Sequence, residues 1–194
     1  MLFYSFLKRI IDVIVSITIF VIILPTFVVI MISVKRDSPG NVLIKQRRIG
    51  LDGKEFTYYK FRTMLMDAPE VGTDAVFNLS DDKRVTRFGR FLRYTALDEI
   101  PAIINVIKGD LSLVGPRPSF IYEYKLYNEE QKRRYSVKPG ITGYWQTYGR
   151  ENKIFTLDEI NKIDLEYIDK RSLWLDFKIL FKTFMMGLKK ENAY

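Results

Sequence analysis

Residues 13–34 carry no charge and are almost wholly apolar, while later apolar runs are short and interrupted by charge. In helical geometry such a stretch reaches about 33 Å, enough to cross the hydrocarbon core of a bilayer. A cleaved signal peptide is a poor reading, because the stretch is too long and no small-x-small pattern follows it. Pro25 lies near the middle, where its missing N–H and its ring bend a helix. Basic pairs flank both ends, Lys8-Arg9 and Lys35-Arg36. Such pairs favour the cytoplasmic side of a membrane. A straight span puts one pair outside; a bent helix that enters one leaflet and returns satisfies both.

Beyond this stretch the period of the apolar positions changes. Residues 42–49 and 55–62 predict two strands around Asp52-Gly53, a strong hairpin signal. Residues 66–86, rich in Asp and containing Pro69 and Gly72, predict a long loop. Helices are expected over 87–94, 101–107, 121–134 and 156–170, with a short apolar run at 111–114 after Gly109-Asp110. Residues 138–150 hold Pro139, Gly140, Gly143 and Gly149 and predict a loop. Near the C-terminus Leu173, Trp174, Phe177, Leu180, Phe181, Phe184 and Leu188 recur at helical spacing, with Lys178, Lys182 and Lys189 opposite. That pattern fits an interfacial amphipathic helix or a helix packed on the core. The expected fold class is α+β: a mostly helical compact domain with a small antiparallel β-hairpin, an N-terminal kinked re-entrant membrane helix and interfacial amphipathic helices. The expected division is residues 1–36 for the membrane helix and 37–194 for the remaining domain.

Composition narrows the chemistry. The 194 residues suit one domain with a modest appendage, and 31 Lys and Arg against 23 Asp and Glu give a net charge of +8. Such a balance favours an anionic partner: nucleic acid, a phosphorylated substrate or acidic lipid. There is no Cys, so disulfides, thiolate nucleophiles and thiolate zinc sites are excluded. There is no His, which removes the commonest general base and transition-metal ligand. Any metal would sit among oxygen ligands, which suits Mg²⁺.

The candidate centre is the segment Arg93-Tyr94-Thr95-Ala96-Leu97-Asp98-Glu99-Ile100-Pro101. Thr95 caps a helix with Asp98 in the capping-box position, or Pro101 is the first helical residue with the carboxylates just before it. Either setting turns backbone N–H groups toward the acidic pair and any phosphate beside it. An isolated Asp-Glu pair is more often a cap and a solvated charge. Here Arg87, Arg90 and Arg93 precede it at helical spacing and suit phosphate. In Gly115-Pro116-Arg117-Pro118 two prolines fix the backbone of one Arg, which serves a phosphate, a nucleotide or only a turn. Lys138-Pro139-Gly140-Ile141-Thr142-Gly143 is a second stiff loop with a cation. In Lys60-Phe61-Arg62, strand alternation sends Lys60 and Arg62 to one face, as ligands or as solvated charges.

These motifs occur in a recognisable order. Lys8-Arg9 with Asp12, Ser38-Pro39-Gly40, Gln46-Arg47, Lys60-Phe61-Arg62 and Leu97-Asp98-Glu99-Ile100-Pro101 come first. Asn105-Val106-Ile107-Lys108-Gly109-Asp110, Ser112-Leu113-Val114-Gly115-Pro116-Arg117-Pro118, Pro139-Gly140-Ile141-Thr142-Gly143 and Gly149-Arg150 follow. Together they resemble the bacterial sugar transferases, also called monotopic phosphoglycosyl transferases, through nearly the whole chain. The length resembles the smallest members. That family breaks its re-entrant helix at Ser-Pro; Leu24-Pro25 keeps the proline and lacks the hydroxyl.

The resemblance implies attack by Asp98 on the β-phosphorus of a UDP-sugar, an aspartyl-phosphosugar intermediate and release of UMP. Polyprenol phosphate then takes the sugar phosphate, the first membrane step of glycoconjugate assembly. It further implies Mg²⁺ at Asp98 and Glu99, phosphates at Arg93, the nucleotide or a phosphate at Arg117, and further substrate contacts from Lys60, Arg62 and Arg150. Membrane lipids are the expected surroundings, at the cytoplasmic face of a bacterial inner membrane, with no nucleic acid partner and a homo-oligomer left open. Carboxylate nucleophiles are an established strategy, and cations must quench repulsion from the diphosphate. The sugar is not legible; the small size leans toward an N-acetylated amino or deoxyamino sugar. A membrane-anchored glycosyltransferase releasing UDP is one rival. A non-catalytic basic module is another, but gives no reason for paired carboxylates among arginines.

Overall fold

Leu2–Asp37 form a single helix, α1, with Pro25 inside it. The computed structural model describes residues 2–65, 82–149 and 156–189. Pro25 offers no N–H, so the Val21 carbonyl loses its usual helical donor. Both flanks of α1 are held by the rest of the chain. Near its start, Arg9 donates to the Val106 and Ile107 carbonyls at 2.6 and 3.0 Å, and Lys8 to Asp176 at 2.9 Å. Asp12 accepts from the Ser112 hydroxyl at 2.7 Å and the Leu113 N–H at 3.2 Å. Near its end, Phe27, Ile30 and Val34 pack against Phe61 and Leu92. No residue from 17 to 26 is buried, and Ile17, Val21, Ile22 and Leu24 all stand exposed.

The hairpin forms as predicted, with β1 (Leu43–Ile49) antiparallel to β2 (Glu55–Phe61). Its turn needs left-handed backbone at Asp52 and Gly53, φ 55° and 72°, which Asp tolerates and Gly adopts freely. The sequence did not reveal a third strand, β4 (Ser119–Phe120), which pairs with β1 so that Arg48 lies opposite Phe120. Cross-strand partners share a face. Lys60 opposite Ile44, Tyr58 opposite Gln46 and Phe56 opposite Arg48 therefore lie on one side of the sheet.

After the sheet comes α2 (Arg87–Tyr94), capped by the Thr86 hydroxyl, which accepts from Gly89 N–H at 2.9 Å. A Cβ at Gly89 would meet the Thr63 carbonyl at 2.2 Å, so a glycine lets α2 lie directly on the chain leaving β2. A 3₁₀ turn, Leu97–Ala102, leads into α3 (Ile103–Lys108). The predicted helix 121–134 is broken. It becomes α4 (Ile121–Leu126), α5 (Glu129–Lys132) and a 3₁₀ turn, because Asn128 starts a new helix by accepting from Gln131 N–H at 2.9 Å. The predicted loop 138–150 is corrected in part: Gly140–Thr142 form β5, parallel to β3 (Ser112–Val114).

The main core gathers Tyr58, Val106, Leu111, Val114, Tyr167 and Ile179. It is covered by α6 (Leu157–Lys170) and α7 (Leu173–Lys189). Of the two readings of the last helix, packing on the core is what the structure shows. Asp176 and Ile179 are buried, while Trp174, Phe177, Phe181 and Phe184 form an exposed aromatic row. The sequence stripe passed over Ile179, the one fully buried side chain of α7 among the described residues.

Candidate active site

The acidic pair sits on a short irregular link. Thr95 closes α2, donating its hydroxyl to the Phe91 and Leu92 carbonyls at 2.8 and 3.2 Å. Ala96 then takes φ 55°, an uncommon state for alanine that costs about 1–3 kcal/mol. Asp98 and Glu99 follow in the first turn of the 3₁₀ segment, with Pro101 inside it. Neither arrangement read from the sequence occurs: Ala96 rather than Thr95 precedes the turn, and Pro101 and both carboxylates lie inside it.

Asp98 is only 2% exposed. Lys60 Nζ lies 2.9 Å from its Oδ2 and 3.0 Å from Glu99 Oε1, so one cation bridges both carboxylates. Asp98 Oδ1 has no hydrogen-bond partner among the described residues. Burial raises the Asp98 pKa above the usual carboxylate range; Lys60 opposes this and Glu99 adds to it. Arg93 donates from Nε to Thr63 Oγ1 at 2.8 Å, and its charge also favours ionised Asp98. Asp98, Glu99, Lys60 and Arg93 thus come together.

Arg117 is held beside β4, at the edge of the sheet opposite β2. Its guanidinium lies 3.1 and 3.2 Å from the two Glu123 oxygens. Its N–H donates to Asp164 at 3.3 Å, and its carbonyl accepts from Arg134 at 3.0 Å. Arg134 in turn pairs with Asp164, and both are almost wholly enclosed. Arg48 fixes the next carbonyl, Pro118, at 3.0 Å. The Arg48 guanidinium stands 3.3 Å from the Phe120 ring centre. Burial lowers the Arg48 pKa to about 10, with the Arg117 charge adding to the fall. Burial pulls Arg117 down as well, but Glu123 outweighs it and its pKa rises. The Glu99 charge raises the pKa of both arginines slightly, the last of the causes in each case.

One expected ligand does not join this cluster. Arg62 is corrected: β2 ends at Phe61, and the buried Arg62 side chain turns to the end of α1. It donates to the carbonyls of Pro39, Ser38 (2.7 Å) and Val34 (3.3 Å). Arg62→Gln is expected to lower stability by about 2–4 kcal/mol, the scale of lost charged hydrogen bonds, and to leave the donor KM unchanged. Thermal unfolding and donor titration check both halves. Arg150 lies outside the described residues, as does most of the loop read at 66–86. Sequence reasoning missed Arg48, Glu123, Arg134 and Asp164. Only Arg48 left a local signal, since pairing about Asp52-Gly53 puts it in phase with Lys60.

The family model described as "Bacterial sugar transferase" matches residues 3–190, which include every residue of this site. The chain belongs to that family. It is 45% identical over 167 residues to the galactosyl transferase CpsE of Streptococcus agalactiae, covering 81% of this chain and 37% of that protein. Against the UDP-glucose:undecaprenyl-phosphate glucose-1-phosphate transferase of Escherichia coli it is 42% identical over 195 residues, 97% of this chain and 41% of that one. The uncharacterized sugar transferase EpsL of Bacillus subtilis is 43% identical over 166 residues, 86% and 78% of the two chains. The chain thus spans about two-fifths of the length of the first two relatives.

Proposed function

We propose that this protein is a phosphoglycosyl transferase that moves a sugar 1-phosphate from a UDP-sugar to polyprenol phosphate through a covalent intermediate on Asp98. The observation that carries this reading is a buried carboxylate with one oxygen on Lys60 and the other unpartnered among the described residues, in a sequence without Cys or His. A desolvated carboxylate is a stronger nucleophile than a hydrated one, and Lys60 keeps it charged. Asp98 attacks the β-phosphorus, the P–O bond to UMP breaks, and UMP leaves with its electron pair. Two negative charges on the diphosphate and one on Asp98 become one on the phosphosugar ester and two on UMP, so no proton is required. Arg93 offsets the phosphate charge, and Arg117, fixed by its loop, holds the nucleotide end.

The donor set also fits Mg²⁺, which accepts one or two carboxylates and fills its shell with phosphate oxygens and water. Asp98 and Glu99 would hold it, and it would neutralise the diphosphate charge there. Two anchored flanks around an unburied apolar middle support a helix that dips into one leaflet, leaving both basic pairs on the cytoplasmic side. The exposed aromatic row of α7 supports a second contact at the bilayer interface. The names of the two relatives carry galactose and glucose, which moves the lean away from amino sugars.

The test supplies the membrane-bound protein with UDP-glucose, UDP-galactose and UDP-N-acetyl sugars, undecaprenyl phosphate and Mg²⁺. UMP is the expected nucleotide; UDP would mean an ordinary glycosyltransferase. Replacing Lys60 by Met removes the cation that lowers the Asp98 pKa. That pKa then rises further, so the acidic limb of the kcat/KM profile moves to higher pH while the maximum falls. An unmoved limb would show that Lys60 does not tune Asp98.

A further inference from the structure

Four residues on the outer face of α2 have no task in the fold. The inner face is committed: Gly89 and Leu92 are buried, and Phe88 packs beside the α1 cluster. Arg87, Arg90, Phe91 and Tyr94 stand at i, i+3, i+4 and i+7 and share the opposite side. Phe91 is 50% exposed and Tyr94 60%. Arg87 and Arg90 are exposed, and their side chains make no ion pair or hydrogen bond among the described residues. Two cations beside two open rings form an amphiphilic surface, matched to a ligand with a phosphate at one end and hydrocarbon behind it.

The position of α2 narrows the ligand. Its start is tied to the end of the membrane helix, Phe88 N–H donating to Asp37 at 3.1 Å. The Phe88 and Phe91 rings stack 5.7 Å apart, extending the aromatic surface from the α1 contact outward. Its end lies four residues before Asp98. Eight helical residues span about 12 Å, so α2 bridges the point where α1 ends and the nucleophile. A helix that only rested on lipid could lie anywhere on the membrane-facing side.

We propose that the outer face of α2 is the docking surface for the polyprenyl phosphate acceptor. This rests on the reading above that such a lipid is the second substrate. Arg87 and Arg90 take its phosphate, and Phe91 and Tyr94 take the isoprene units next to it. In the step this serves, an acceptor phosphate oxygen bonds to the phosphorus of the aspartyl ester. The bond from Asp98 to phosphorus breaks, and Asp98 leaves as a carboxylate. Three negative charges stand on each side, so no proton moves.

The experiment uses the full chain in vesicles with undecaprenyl phosphate and the donor chosen by the panel above. Arg87→Gln/Arg90→Gln and Phe91→Ala/Tyr94→Ala are each compared with the unchanged protein. The expected result is a rise of about tenfold in acceptor KM for both. Exchange of labelled UMP into the UDP-sugar without acceptor reports the donor step alone and is expected to hold within about twofold. With a water-soluble ten-carbon isoprenyl phosphate, the aromatic double variant should lose its defect while the arginine variant keeps it. Unchanged acceptor KM in both variants overturns the assignment. So does equal loss of exchange and turnover, which would make α2 a support for the Asp98 turn. Loss of vesicle sedimentation with normal acceptor KM would make it a plain lipid contact and also overturns it. If the unchanged protein shows no exchange at all, the covalent reading fails, while the acceptor KM values still decide the docking surface.

Discussion

Asp98→Asn is expected to lower the proposed UMP release by on the order of 10³-fold or more, with the protein still folded and sedimenting with membranes. The amide keeps the shape of the carboxyl group and an oxygen for Lys60, so packing is preserved. What it loses is the negative charge that, in the proposed reaction, forms the bond to phosphorus. The direction of the Asp98 pKa says what happens to stability. Burial favours the protonated form, so folding stability from this group is fully present below the unfolded pKa and is lost as pH rises through the folded one. Once ionised, Asp98 is a buried charge held at a cost, which the neutral variant does not carry. Asp98→Asn is therefore expected to melt no lower than the unchanged protein, the trade of stability for activity common at reactive sites. Intact mass after addition of donor should show a sugar phosphate on the unchanged protein and none on the variant. An Asp98→Ala control guards against deamidation, which would return the introduced amide to aspartate. Activity within tenfold of normal in both variants would remove Asp98 from the nucleophile role.

How far the sequence led depends on the range of each pattern. The hairpin was legible because Asp52-Gly53 and the alternating strands lie within twenty residues. The helix α2 was legible from spacing alone. The adjacency of Asp98 and Glu99 was visible, but Lys60 between them was not, because the wedge forms only when β2 packs on the 3₁₀ turn. Arg62 misled because a period of two holds only while a strand lasts, and β2 stops one residue earlier. The glycines of 138–143 read as loop signals, yet they mark a close crossing. A Cβ on Gly140 would lie 2.2 Å from the Gly115 N, so glycine is what lets β5 pair beside β3. Pro25 marks a weak point in α1 without giving the path of the chain. Glu123, Arg134 and Asp164 left no local trace, since each matters through partners far along the chain.

Arg134→Met is expected to cost about 3–5 kcal/mol of folding stability, because it strands Asp164 without its buried partner. With Arg134 present, burial already raises the Asp164 pKa to about 6, against the Arg134 charge that lowers it. Its stability contribution is therefore present below about pH 4 and lost as pH rises through about 6. Without Arg134 the folded pKa climbs further, so the variant should lose stability with rising pH over a wider window than the unchanged protein. Chemical unfolding at pH 5 and pH 8 reads this directly. Pairing Arg134→Met with Asp164→Leu removes both charges and should restore most of the stability, since apolar replacements of a buried ion pair are often neutral. Activity should not return. Asp164 holds the Arg117 N–H and Arg134 its carbonyl, so the double variant frees the backbone on both sides of the residue assigned to the nucleotide. A donor KM raised about tenfold in a protein of normal stability would show that these buried charges serve to aim Arg117. A normal donor KM would show that the two prolines and Arg48 hold that loop unaided.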